Sequence, residues 1–166
     1  AIILPGVGAF DQAMTKLNQS GMREELERKV IQDNVPVLGI CVGMQILAKS
    51  SDEGILPGLG WIDGMVKKLD SSKIAFKTRL PHMGWNTIRP VKENPLLTGL
   101  NDHSKFYFLH SYYFITENPA DTICTTDYGL TFTSAVNHRN VYGIQFHPEK
   151  SHSNGIKVLQ NFSALQ

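Results

Sequence analysis

The sequence is short of several things, and each shortage excludes something. It has two cysteines, Cys41 and Cys124, in 166 residues. A small secreted domain stapled by disulfides would carry more, so a reduced, cytoplasmic setting is expected. No apolar run approaches the roughly 20 residues of a membrane span. The opening Ala1-Ile2-Ile3-Leu4-Pro5-Gly6 does not read as a signal peptide. Charge of one sign is also scarce: 16 basic residues face 15 acidic ones, for a net charge of +1. No basic run exceeds two residues, so the stripe of a nucleic-acid binder is missing. Internal repeats and low-complexity segments are missing too. No group of His, Cys, Asp and Glu has metal-ligand spacing, so no metal and no cofactor is expected.

What is present is an ordinary globular balance, 42% hydrophobic and 19% charged. The length suits one core, and no linker is visible, so residues 1–166 are expected to form a single domain. Residues 1–4 read as a short buried strand. Met14, Leu17, Met22, Leu26 and Val30 recur at helical spacing and predict helix over 11–31, with Gly21 dividing it into two. Residues 35–40 read as a fully buried strand and 43–50 as a helix. That alternation predicts an α/β fold with parallel strands. The second half predicts strands at 61–69, 87–91, 105–114, 121–126, 132–137 and 141–146, several of them antiparallel, punctuated by proline and glycine. A helix over 154–165 is expected to bury Ile156, Leu159 and Phe162.

The most informative segment is Gly39-Ile40-Cys41-Val42-Gly43. It sets a cysteine between two glycines at a strand-to-helix turn, the cysteine form of a nucleophile elbow. The turn forces the nucleophile into a strained backbone conformation, and the glycines remove side chains that would collide there. The helix that follows aims its amino end at the sulfur, which is expected to favour the thiolate. The alternative is a small buried hydrophobe, and Cys124, which has no such setting, is assigned that role.

A thiol nucleophile needs a base, and the base needs an orienting group. Among six histidines, His147 ends a strand in His147-Pro148-Glu149. Pro148 stops the strand, and Glu149 lies close enough to hold the imidazole. Read alone this is a surface turn; beside the elbow it completes a triad of Cys41, His147 and Glu149. Amide attack also needs N–H donors for the oxyanion. Val42, just after the nucleophile, supplies one, and the loop Gly6-Val7-Gly8 is expected to supply another. His82 and His110 read as structural.

Together these segments resemble class I glutamine amidotransferase domains, whose marks are Pro-Gly-x-Gly (Pro5–Gly8), Gly-x-Cys-x-Gly-x-Gln (Gly39–Gln45) and His-Pro-Glu (His147–Glu149). The resemblance spans almost the whole chain. It is strongest to glutaminase subunits of imidazole glycerol phosphate synthases, through Leu80-Pro81-His82-Met83-Gly84-Trp85-Asn86, Phe106-Tyr107-Phe108-Leu109-His110-Ser111-Tyr112 and His147-Pro148-Glu149-Lys150-Ser151. It implies a flavodoxin-like three-layer sandwich, with a mixed sheet whose core strands are parallel. It implies hydrolysis of L-glutamine, with Gln45 and the backbone near Ser111 and Tyr112 holding the substrate. Met83, Trp85, Asn86, Tyr107 and Lys150 would face a (β/α)8 cyclase subunit in a heterodimer, and ammonia would pass between the two. Trp85 is expected in a loop. The family opens with a further strand and helix, which this chain is expected to lack. Three other readings stay open here. One is a glutaminase serving amidino-group synthesis on nucleotide-linked sugars, suggested by the segment 149–155. The others are a cysteine peptidase or hydrolase of the same fold and a non-catalytic binding module.

Overall fold

The computed structural model describes residues 1–75 and 79–165. Its strands are β1 (Ile2–Gly6), β2 (Val37–Cys41), β3 (Ser50–Ser51), β4 (Gly64–Lys68), β5 (His82–Thr87), β6 (Arg89–Pro90), β7 (Lys105–His110), β8 (Tyr112–Thr116), β9 (Thr122–Asp127), β10 (Thr131–His138) and β11 (Val141–Ile144). Its α-helices are α1 (Phe10–Gln19), α2 (Arg23–Glu27), α3 (Val42–Gln45) and α4 (His152–Ser163). The large sheet runs β1-β2-β11-β10-β8-β4-β3, with β9 on β10 and β6 on β9, while β5 and β7 form a separate two-stranded sheet. This is the expected mixed α/β sheet.

Its middle is parallel: β2 pairs with β1 on one side and β11 on the other. All five residues of β2 are buried, as the unbroken apolar run Val37-Leu38-Gly39-Ile40-Cys41 requires. β1 pairs on one side only and alternates in burial, leaving Ile3 49% exposed, which corrects the expectation of a buried strand. Apolar side chains from the two faces of the sheet enter two clusters. Leu38, Ile144 and Ala135 join one; Val37, Val141 and Val136 join the other. That separation is the three-layer arrangement.

The long helix is divided at Gly21, whose φ is +73°. After α2 the chain widens into a π-helical turn, Arg28–Gln32. Asn140, in the β10–β11 turn, ties this region down by donating to the carbonyls of Val30 and Val35. The helix expected over 43–50 is a single turn, Val42–Gln45. The carbonyls of Ile46, Leu47, Ala48 and Lys49 accept instead from Leu59, Ile62, Gly60 and Gly58, so a non-local loop takes the acceptors that continuing the helix would need. The run 105–114 is two strands. β7 pairs with β5, whereas β8 pairs with β4 and β10, and the chain changes sheets at Ser111. Trp85 lies on β5 rather than in a loop. Helix α4 buries Gly155, Val158 and Phe162 and leaves Ile156 59% exposed. Gly155 sets that face, because a Cβ there would sit 1.8 Å from the Pro148 carbonyl oxygen.

Candidate active site

The carboxyl ends of β1, β2 and β11 meet at one edge of the sheet, where open α/β sheets place their ligands. Register does the positioning. Gly6 pairs with Cys41, which sets Val7 and Gly8 beside the elbow. Ile144 pairs with Ile40, so the next residue, Gln145, comes up beside Cys41.

Cys41 has φ +55° and ψ −112°, a strained conformation for a residue with a side chain. The flanking glycines make it possible. A Cβ on Gly43 would lie 1.8 Å from the Leu4 carbonyl oxygen, and one on Gly39 would lie 2.5 Å from the Gly43 carbonyl oxygen. The thiol donates to the Leu109 carbonyl at 3.8 Å and accepts from Gln145 Nε2 at 3.7 Å. Burial pushes its pKa up to about 11, against hydrogen bonds from the Val42 N–H and Gln145 that pull it down. The thiolate-favouring setting expected from the elbow is therefore outweighed by burial, because one turn of helix is a weak dipole.

His147 is buried and donates Nδ1–H to Glu149 Oε1 at 2.8 Å. In the neutral ring that bond leaves the lone pair on Nε2, an atom without a hydrogen-bond partner among the described residues. The His147 N–H donates to the Tyr107 carbonyl. Ser151 braces the same turn, donating to the His147 carbonyl and accepting from the Tyr107 N–H.

One cavity of about 390 Å³ gathers Val7, Gly8, Cys41, Val42, Gln45, Glu53, Ser111, Tyr112, His147, Glu149 and Lys150. Gly6 lines an adjoining, smaller cavity that shares Val7, His147 and Glu149 with the first. It is needed for packing, since a Cβ there would sit 2.6 Å from the Gly43 nitrogen. Met83, Trp85 and Asn86 line a neighbouring cavity of about 370 Å³ together with His82 and Asp127. Met83 is 60% and Trp85 47% exposed. Trp85 stacks on His152 and meets Tyr107 edge-on, and Lys150 Nζ lies 5.5 Å from the Tyr107 ring. Cys124 is fully buried in the core.

Sequence reasoning missed two residues here. Gln145 is fully buried, and its Oε1 accepts from Gln45 Nε2, so it bridges Gln45 to the sulfur. Its signal was a polar residue at the end of an apolar run, two positions before His147. Glu53 accepts from the Phe10 N–H, capping α1 from a distant loop, and turns toward the cavity. Nothing local to its sequence marked it.

An elbow cysteine, an oriented histidine and glycine-flanked backbone at one sheet edge are the parts that a thiol-dependent acyl transfer requires. The chain belongs to the class I glutamine amidotransferases, whose family model matches residues 1–165. It is 57% identical over 164 residues to the imidazole glycerol phosphate synthase subunit HisH of Bdellovibrio bacteriovorus, covering 99% of this chain and 80% of that protein. With the same coverage it is 52% identical over 164 residues to the HisH subunit of Leptospira borgpetersenii. A solved glutamine amidotransferase from Thermotoga maritima shares the fold, with a TM-score of 0.65 at 19% identity, over 98% of this chain and 61% of that one.

Proposed function

We propose that the chain is the glutaminase subunit of an imidazole glycerol phosphate synthase, releasing ammonia from L-glutamine for histidine biosynthesis. The observation that carries the reading is the shared cavity of Cys41, Val42 and the His147–Glu149 pair, in a chain 57% identical to a HisH subunit.

The thiol proton passes to His147 Nε2, whose lone pair is free, and the sulfur attacks the side-chain amide carbon of glutamine. The tetrahedral oxyanion is met by the Val42 N–H and the Val7-Gly8 backbone. His147 then protonates the departing nitrogen, and ammonia leaves a glutamyl thioester on Cys41. Water, deprotonated by His147, attacks the thioester; glutamate departs and the thiol is restored. Glu149 holds the ring in its Nδ1–H tautomer and offsets the imidazolium charge. Gln45 and the Ser111–Tyr112 backbone hold the substrate. Glu53 supplies the carboxylate that an amino acid's ammonium group requires.

Ammonia passes to a cyclase subunit with a (β/α)8 fold in a cytoplasmic heterodimer, where a lyase step completes the synthase reaction. The exposed Met83 and Trp85, with Asn86, Tyr107 and Lys150, form the docking face. Among the described residues no helix is long and apolar enough to cross a membrane. The amidino-sugar, peptidase and binding-module readings find less support, since the relatives described above carry the synthase name.

The test is glutamine turnover by the chain together with a cyclase subunit from the same source. Labelling of Cys41 by a thiol-alkylating glutamine analogue, but not by peptide-like reagents, supports the amidotransferase. Absence of both turnover and labelling overturns it.

A further inference from the structure

Two buried histidines link the candidate active-site cavity, which His110 lines, to the cavity beside Trp85, which His82 lines, and the mechanism above uses neither. His82 Nδ1 lies 3.0 Å from His110 Nε2. His110 Nδ1 lies 2.8 Å from the Tyr112 carbonyl oxygen. At the outer end, Asn86 Nδ2 lies 3.2 Å from His82 Nε2. The pairing is built into the two-stranded antiparallel sheet, where His82 is in register with His110.

The direction of every bond in this line follows from its inner end. A carbonyl only accepts, so His110 Nδ1 carries the proton. Burial drives the pKa of His82 down to about 4 and that of His110 to about 3, so both rings are neutral near pH 7. His110 Nε2 must then accept, His82 Nδ1 must donate, His82 Nε2 must accept, and Asn86 donates. The Tyr112 carbonyl takes a second donor, Gln45 Nε2, at 3.1 Å. Gln45 Nε2 also donates to Gln145 Oε1, and Gln145 Nε2 donates to the Cys41 sulfur. The hydrogen-bonded path from Asn86 to the thiol is unbroken.

We infer that Asn86, His82 and His110 are positioning residues, a one-directional hydrogen-bond line that fixes the Tyr112 carbonyl and, through Gln45 and Gln145, the Cys41 sulfur. The inference deepens the glutaminase reading and rests on it for its consequence in turnover. Its outer end, Asn86 with His82, opens on the cavity beside Trp85, so a side chain seated there meets the line directly. A buried line with every donor matched to an acceptor has one low-energy arrangement, and removing one member leaves the next unsatisfied.

His82 also stacks on Tyr128 and Phe108, with ring centroids 4.0 Å and 4.8 Å away, which allows a crossed test. His82→Phe keeps the stacking and deletes both nitrogens; His82→Gln keeps a donor and an acceptor and loses the stacking. Two measurements are made on each: the rate of Cys41 alkylation by iodoacetamide in the isolated chain, and kcat and KM for glutamine in the complex with the cyclase subunit. In His82→Phe, alkylation at fixed pH and kcat each fall about tenfold, the worth of one buried hydrogen bond, while KM stays within about twofold. In His82→Gln, both rates stay within about threefold of the parent. A His82→Phe protein matching the parent in either rate overturns the inference, and so does a His82→Gln protein worse than His82→Phe. If the parent complex turns over no glutamine while the alkylation shift stands, the glutaminase reading falls and the line remains. Should His82→Phe lack a cooperative melt, Asn86→Ala replaces it at the outer end. It is expected to lower both rates about threefold, and parent-like values in either overturn the inference.

Discussion

The Cys41 thiol donates its hydrogen bond to the Leu109 carbonyl at 3.8 Å, while His147 Nε2 has no hydrogen-bond partner among the described residues. The proposed nucleophile and base share one cavity without being bonded to each other. Glu149 orients the His147 ring at 2.8 Å, and burial favours the protonated thiol at Cys41.

That arrangement predicts a pH profile. Burial holds the thiol near a pKa of about 11, so at pH 7 only about one sulfur in 10⁴ is thiolate. Alkylation of Cys41 in the isolated chain should rise about tenfold per pH unit until it levels near that value. Glutaminase activity of the isolated chain should be low. Adding the cyclase subunit with its substrate should raise turnover by about 10²–10³-fold, the worth of one oxyanion donor, as docking turns a peptide N–H of the Val7-Gly8 backbone toward the substrate. Iodoacetamide kinetics from pH 6 to 11 and a glutaminase assay check both; an alkylation plateau near pH 7, or full activity in the isolated chain, would contradict them.

Cys41→Ala and Cys41→Ser should abolish glutamine-dependent synthesis and spare synthesis driven by added ammonium salts. The proposed nucleophile is lost while the partner's chemistry is untouched. Product formation under the two nitrogen sources measures this, and glutamine turnover by Cys41→Ala would remove the residue from that role.

His147→Ala should lower kcat by at least about 10³-fold, because it removes the group proposed as both base and acid in the two half-reactions. Glu149→Gln should cost less, since the orienter does not itself transfer the proton. Steady-state kinetics on the complex compare the two, and a larger loss in Glu149→Gln would reverse the assigned roles.

Gly43→Ala should destabilise the fold as well as the site. The added methyl would stand 1.8 Å from the Leu4 carbonyl oxygen, so β1 or the elbow must move, at a cost of about 1–3 kcal/mol or more. Thermal melting shows this as a lowered Tm; an unchanged Tm would mean that β1 does not press on the elbow.

How much of this was legible in the chain can be judged residue by residue. The Gly39–Gly43 elbow and the His147-Pro148-Glu149 turn were readable because their chemistry is local: each is complete within five residues, and backbone sterics or a two-residue reach defines it. The buried β2 was readable for the same reason, as an unbroken apolar run. What stayed hidden depended on partners distant in sequence. The helix after Cys41 stops after one turn because residues 58–62 capture its carbonyls. The run 105–114 breaks at Ser111 because its halves belong to different sheets. Gln145 reaches Cys41, 104 positions away, through the register of β11 against β2. Glu53 enters the cavity while capping a helix 43 positions earlier. The high thiol pKa is likewise a property of burial, summed over side chains from many elements. Local stereochemistry wrote the motifs into the sequence; long-range hydrogen bonding, register and desolvation, which no short window contains, were decided only when the chain closed on itself.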